Sequence, residues 1–313
     1  MPELFWPGER RAGDLFTESA FRAAMVRVEA AWADTELSDP GGELDAESGG
    51  NPVIPLVEAL RKANPDVALH DGLTSQDVLD TALVLMLRDS VAKLRTVGRA
   101  QIARIETLID EVGTTPMMGR TLTQPAQPIT FGDKLATWRH GLIDGVADLD
   151  SLDFPVQKGG PVGTDRRGRN VLAERLGLSN DEPWHTTRRT ITRAGDVLVS
   201  LTDAYGRIAR DVLELSRTGE LSEGVGGGSS SMPHKHNPVL SVLIRRAALT
   251  TPMLAATLHV AAADQVDERA DGAWHAEWDT LRLLVRRTAV AAGQMTELLE
   301  GLQVHSDAMG TWL

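Results

Sequence analysis

Residues 75–112 contain no proline and a single glycine, Gly98, and they carry Val78, Ala82, Leu85, Val91, Leu94, Ile102, Ile105 and Ile109 at helical spacing. An apolar stripe sustained that far predicts one helix, and at 1.5 Å per residue it runs about 57 Å. A helix that long outgrows a small globular fold and needs other long helices beside it. Helical patterns resume at 131–150, 168–177, 187–217, 239–263 and 276–300, while strict strand alternation is essentially missing. Upstream, Phe21, Met25, Val28 and Trp32 mark a helix over 17–37 capped by Thr17, and a short helix follows over 53–62. Segment 38–52 reads as an acidic, Gly-rich loop, and 113–130, with Pro116, Pro125 and Pro128, reads as irregular. The fold class expected is all-α, a bundle of long helices. Aromatic residues are only 4% of the chain, and Ala, Leu and Val dominate broad apolar faces. Such faces call for burial on more than one side, hence an oligomeric bundle.

Charge and composition narrow the function. A formal charge of −12 over 313 residues disfavours nucleic acid and anionic membrane surfaces as partners. An anionic small substrate would have to be drawn in by local Lys and Arg. No cysteine is present, which removes disulfides, thiol nucleophiles and Cys-ligated metals. The N-terminus lacks the basic and apolar regions of a secretion signal, and no uncharged apolar run reaches 18 residues. We therefore expect no membrane span and a cytoplasmic location.

Three loops carry the chemistry. Residues 224–238, with Gly226 to Gly228, Ser229 to Ser231, Lys235 and Asn237-Pro238, combine backbone freedom, hydroxyls and a cation. Asn237-Pro238 reads as an N-cap and first helical residue, so free N–H groups beside Lys235 would suit a bound carboxylate or phosphate. A flexible Gly/Ser linker is the alternative, and the Met-Pro-His-Lys-His-Asn-Pro that follows argues against it. His234 and His236 flank Lys235 with no third ligand nearby, so no metal site is expected. The second loop, 69–77, opens the long helix with His70, Thr74 and Ser75; the third, 119–132, holds Arg120, Thr121 and Gln124. Hydroxyls, amides and a cation at helix ends form an inventory suited to a polycarboxylate.

These segments also carry a resemblance. Gly228-Ser229-Ser230-Ser231-Met232-Pro233-His234-Lys235-His236-Asn237-Pro238, Thr74-Ser75-Gln76-Asp77 and Gly119-Arg120-Thr121 resemble the three signature regions of the fumarase/aspartase superfamily, in the same order. That superfamily is built on a central long-helix bundle, and its homotetramers form composite active sites from loops of three subunits. Within it the chain is most similar to the bacterial 3-carboxy-cis,cis-muconate cycloisomerase branch. Thr74 to Thr81 and the segment Glu268 to Trp278 match that branch. Leu122 and Val242 stand where other members carry a paired histidine and glutamate.

The resemblance implies a reversible lactonisation in protocatechuate breakdown, on a small anionic polycarboxylate and without a metal or redox cofactor. It assigns Ser229 as the proton-transferring residue, with His70 a candidate proton donor or a structural loop histidine. Thr74, Ser75, Thr121, Gln124, Ser230, Lys235 and Asn237 become substrate contacts. Thr74 and Ser75 read equally as N-cap residues, and both roles can hold. Arg120 is given a structural place. Arg269 would bind a carboxylate from a neighbouring subunit or form an ordinary surface ion pair. Trp274 and Trp278, four apart, should pack together. We expect an N-terminal helical region over 1–112 and the bundle over 113–313, without the C-terminal helical domain usual in the superfamily. An adenylosuccinate-type lyase and a catalytically silent structural homologue are the alternatives.

Overall fold

The computed structural model describes residues 4–224, 227–228, 232 and 236–311. Among them are nine α-helices and four short strands. The helices are α1 (Glu18–Ala33), α2 (Val53–Ala63), α3 (Ser75–Val112), α4 (Phe131–Asp150), α5 (Arg169–Leu176), α6 (Arg189–Arg217), α7 (Val239–Ala263), α8 (Gly272–Gly301) and α9 (Ser306–Gly310). Helix α3 is a single element of 38 residues, as its stripe predicts. Thr17 caps α1 by accepting from Ala20 N at 3.2 Å.

Helices α6, α7 and α8 pack side by side, α3 packs on α4 and α8, and α1 lies across α3. Gly98 is the close-approach point: a Cβ there would lie 2.6 Å from Val146 Cγ2 of α4. The core contains a polar tie as well. Buried Tyr205 of α6 donates to Gln101 Oε1 of α3 at 3.0 Å, and Gln101 Nε2 donates to Ala292 O of α8 at 2.9 Å. Buried polar groups satisfied in this way set the helix register while costing little stability.

One expectation for the fold needs correction. Residues 113–130 are not irregular; β1 (Pro116–Thr121) and β2 (Gln124–Thr130) form an antiparallel hairpin. Pro125 and Pro128 are tolerated because a two-stranded ribbon has only edge strands. Leu122 and Thr123 turn the chain at φ 47° and 70°, the left-handed pair that suits a tight hairpin. A second small ribbon joins β3 (Leu221–Ser222) to β4 (Gln303–Val304).

Helix α7 carries a largely apolar sequence. Among the described residues it is the one helix long and apolar enough, by length and composition, to cross a membrane, with mean hydropathy 1.4 in its most apolar window. Arg245 and Arg246 interrupt the uncharged run, so the charge-free criterion passes over it. One face of α7 packs on α6 and α8. The other leaves Val242, Leu249, Met253 and Val260 exposed.

Candidate functional site

The first signature loop sits where α3 begins. Asp77 is fully buried and accepts from Thr74 N at 3.1 Å, Gly159 N at 2.8 Å and Gly160 N at 2.9 Å, while His185 Nε2 lies 2.8 Å from it. Four donors on one carboxylate fix segment 157–163 against the helix start, and charge-assisted bonds of this kind are the strong ones. Arg269 reaches the same spot, donating to Thr74 Oγ1 and, at 3.3 Å, to Pro161 O. It therefore contacts the first signature loop directly. His70 is held at φ 63°, with Nδ1 2.6 Å from Glu29 Oε1. Trp32 Nε1 donates to Asp71 O at 2.8 Å, so α1 grips this loop at two points.

Electrostatics around the loop are built in pairs. Arg167, through its side chain and backbone, and then Lys158 hold the Asp165 carboxyl far below the usual carboxylate range. One layer deeper, Arg188 donates to Asp80 at 2.7 and 3.0 Å and to Glu277 at 3.0 and 2.5 Å, with all three side chains fully buried. Trp274 Nε1 donates to Asp80 Oδ1 at 3.0 Å, and Trp274 stacks edge-on to Trp278 with centroids 4.7 Å apart. Burial pushes the Glu277 carboxyl up against the pull of Arg188. Burial by itself would weaken the Arg188 cation, but Asp80 and Glu277 outweigh it and raise its pKa. One guanidinium facing two buried carboxylates thus bolts α3, α6 and α8 together beneath Thr74 and Ser75.

The other two signature regions lie at the far end of α3. Thr121 and Gln124 pair across the hairpin turn, both exposed. Arg120 makes a bidentate pair with buried Glu220, at 3.0 and 2.8 Å, and ties the hairpin to the end of α6. Asn237 does not act as the N-cap of α7. Its backbone exchanges hydrogen bonds with Gly227 at 2.8 and 2.9 Å, Pro238 takes the cap position, and its side chain lies 3.5 Å from Gly228 O. The first N–H groups of α7 are not free either. Glu223 accepts from Leu240 N at 2.9 Å and Ser241 N at 2.7 Å, so an internal carboxylate holds the position expected for a ligand's anion. Ser229, Ser230 and Lys235 lie outside the described residues.

The described site residues thus fall into two groups, His70, Thr74, Ser75 and Arg269 at one end and Thr121, Gln124 and Asn237 at the other. The 38 residues of α3 separate them by about 57 Å, and a six-residue strand folded back spans only about 20 Å. One chain cannot bring the groups together. A cleft of about 310 Å³ between α1 and α3, lined by Phe16, Arg27, Met86 and Lys93 among others, contains none of them.

Sequence reading missed Glu29, Asp80, His185, Arg188, Glu220, Glu223 and Glu277. For Glu29 a signal existed: it lies on the same helical face as Met25, Val28 and Trp32, and a carboxylate on an apolar stripe needs a partner.

A helical bundle whose longest helix carries one signature loop at each end, with a third beside its far end, is the arrangement of the fumarase/aspartase class. A family model described as lyase matches residues 45–251. Nitrosuccinate lyase from Streptomyces davaonensis is 41% identical, with 83% of this chain and 60% of that protein covered. The 3-carboxy-cis,cis-muconate cycloisomerase of Pseudomonas aeruginosa is 39% identical, with 91% and 67% covered. The solved structure of 3-carboxy-cis,cis-muconate lactonizing enzyme from Pseudomonas putida superposes with a TM-score of 0.87 at 30% identity, over 95% of this chain and 76% of that one. The chain belongs to the lyase family of the fumarase/aspartase superfamily. It spans 60% and 67% of the length of the first two relatives.

Proposed function

We propose that the protein is a cycloisomerase that interconverts 3-carboxy-cis,cis-muconate and its carboxymuconolactone, and that it works as a homotetramer with composite sites. The observation that carries the reading is the identity at the two pairing positions. Leu122 is 95% exposed at the hairpin tip and Val242 is 53% exposed on α7, so neither the imidazole nor the carboxylate of the usual pair is supplied there. The relatives named as cycloisomerases support the same branch. A composite site is supported by the distance between the two residue groups and by the apolar stripe of α7.

In this reaction a substrate carboxylate adds across a conjugated double bond, and a proton reaches the carbon beside another carboxylate. The hard step is the enolate-like charge on that carboxylate, which preorganised donors must hold. Thr74, Ser75 and Arg269 of one subunit would face Thr121 and Gln124 of a second and Ser229, Ser230, Lys235 and Asn237 of a third. Ser229, activated by the nearby cation, and His70 are the two candidates for carrying that proton. No metal or redox cofactor enters the scheme.

The 41% identity to nitrosuccinate lyase favours a second reading, elimination from a substituted succinate to give fumarate, which uses the same enolate-like intermediate. Ultraviolet assays of purified protein with carboxymuconate and with nitrosuccinate separate the two. Loss of carboxymuconate only supports cycloisomerisation, fumarate release only supports the lyase reading, and turnover of neither rejects both. Ser229→Ala tests the serine directly: a loss of about a hundredfold or more assigns the proton to Ser229, and undiminished turnover removes Ser229 from the step.

A further inference from the structure

We infer that Glu29 is the positioning residue of a His70–Glu29 dyad, and that this dyad delivers the proton in the first signature region. The inference rests on the proposed reaction and deepens it. Glu29 lies on the buried face of α1, fully shielded from solvent, and His70 Nδ1 at 2.6 Å is its one hydrogen-bond partner among the described residues. Its second oxygen, Oε2, is buried and unpartnered. A carboxylate buried at that expense to stability is retained for what it does to its partner.

The partner is held in an unusual way. His70 occupies the left-handed region at φ 63°, which is unfavourable for a residue with a Cβ. Its side chain keeps 18% of its surface exposed, on the loop that Thr74 and Arg269 close. A carboxylate only accepts, so Nδ1 carries a proton and the imidazole is fixed in one tautomer and one orientation. Nε2 makes no hydrogen bond among the described residues and is left for substrate. This is the base-and-orienter logic of acid–base dyads, supplied by α1 and the loop rather than by Leu122 and Val242.

In the step itself, the imidazolium gives its Nε2 proton to the carbon beside the carboxylate. The electron pair of the enolate-like double bond forms the C–H bond, the N–H bond breaks, and neutral His70 keeps Nδ1–H on Glu29 until solvent restores the proton. In the reverse direction Nε2 accepts that proton. The surrounding charges are Asp71 on the same loop, Arg61 of α2, which donates to Leu69 O at 3.1 Å, and Lys158, Asp165 and Arg167 across Gly72. Glu29 is the group in direct contact with the ring.

The test compares wild type, Glu29→Gln, Glu29→Asp, His70→Gln and the Glu29→Gln/His70→Gln double variant. Each is checked for melting and oligomeric state and then assayed for kcat, KM and pH–rate profile. Glu29→Gln should lower kcat about tenfold or more with KM within about twofold. Glu29→Asp should recover part of the loss. In the His70→Gln background the Glu29 change should cost nothing further. Nitrogen NMR of the eight histidines, with His70 assigned by its loss in His70→Gln, should show Nδ1 protonated in wild type and a mixture of tautomers in Glu29→Gln. Wild-type activity with an unaffected Glu29→Gln, or equal losses in both backgrounds, overturns the dyad. If wild type turns over nothing, the proposed reaction fails, and an unchanged His70 tautomer in Glu29→Gln then overturns the dyad independently.

Discussion

Glu223 closes the start of α7 by accepting from the backbone N–H of Leu240 at 2.9 Å. Its other oxygen accepts from Ser241 N at 2.7 Å, so one carboxylate satisfies two of the orphan donors that every helix start leaves. The negative charge also sits at the positive end of the helix dipole. Immediately upstream of α7 lies the Gly/Ser segment expected to seek an anion. Its helix therefore arrives already neutralised, and the proposed function leaves anion binding there to Lys235.

Replacing that carboxylate should be felt globally. Glu223→Ala leaves two N–H groups at a buried helix start without acceptors and should lower stability by about 2 kcal/mol. Urea titration followed by circular dichroism checks this through the midpoint at unchanged slope. A midpoint equal to that of wild type would mean the helix start is satisfied in some other way.

The Arg188, Asp80 and Glu277 cluster predicts a pH dependence. Burial raises the Glu277 carboxyl above its ordinary value, so the folded protein binds a proton there that the unfolded chain releases. The folded state then holds more protons, and stability falls as pH rises from the ordinary glutamate range to the raised value. The contribution is fully present below that window and lost above it. Glu277→Gln, which keeps the shape and removes the titration, should flatten this part of the stability–pH curve measured by urea midpoints between about pH 4 and 7. A curve of unchanged slope would assign the dependence elsewhere.

The exposed stripe of α7 is the surface on which assembly should depend. Leu249 and Met253 are 65% and 69% exposed, and burying two such side chains contributes about 3 kcal/mol or more per copy. Leu249→Glu/Met253→Glu should shift the protein to smaller species in sedimentation and abolish turnover, because neither end of α3 then meets its complement. Helical content should stay within about 10% of wild type, since these side chains make little of the fold within one chain. A double variant that remains tetrameric and active would remove α7 from the interface.

Much of the bundle could be read from the chain because helix periodicity is local. The 38-residue α3 follows from a stripe without proline, and α4 begins where Thr130 and Asp133 form a capping box. The hairpin could not be read, since Pro125 and Pro128 look like breakers until the strand is known to be an edge. For the site, Thr74 was recognisable as a cap and the Trp274–Trp278 pair followed from spacing. Asn237 misled because its backbone pairs with Gly227, a partner that helix-cap rules do not anticipate.

What the sequence determined by itself was the helices up to α8, the signature segments and the superfamily, all carried by neighbours within a few turns. Tertiary structure alone decided who meets whom across long separations. Glu29 reaches His70, Arg188 gathers Asp80 and Glu277, and Glu220 receives Arg120. It also decided that two groups of site residues stand at opposite ends of α3. The physical reason is that a buried charge must find its counter-charge wherever packing delivers it, and packing is a property of the whole bundle rather than of any stretch of chain.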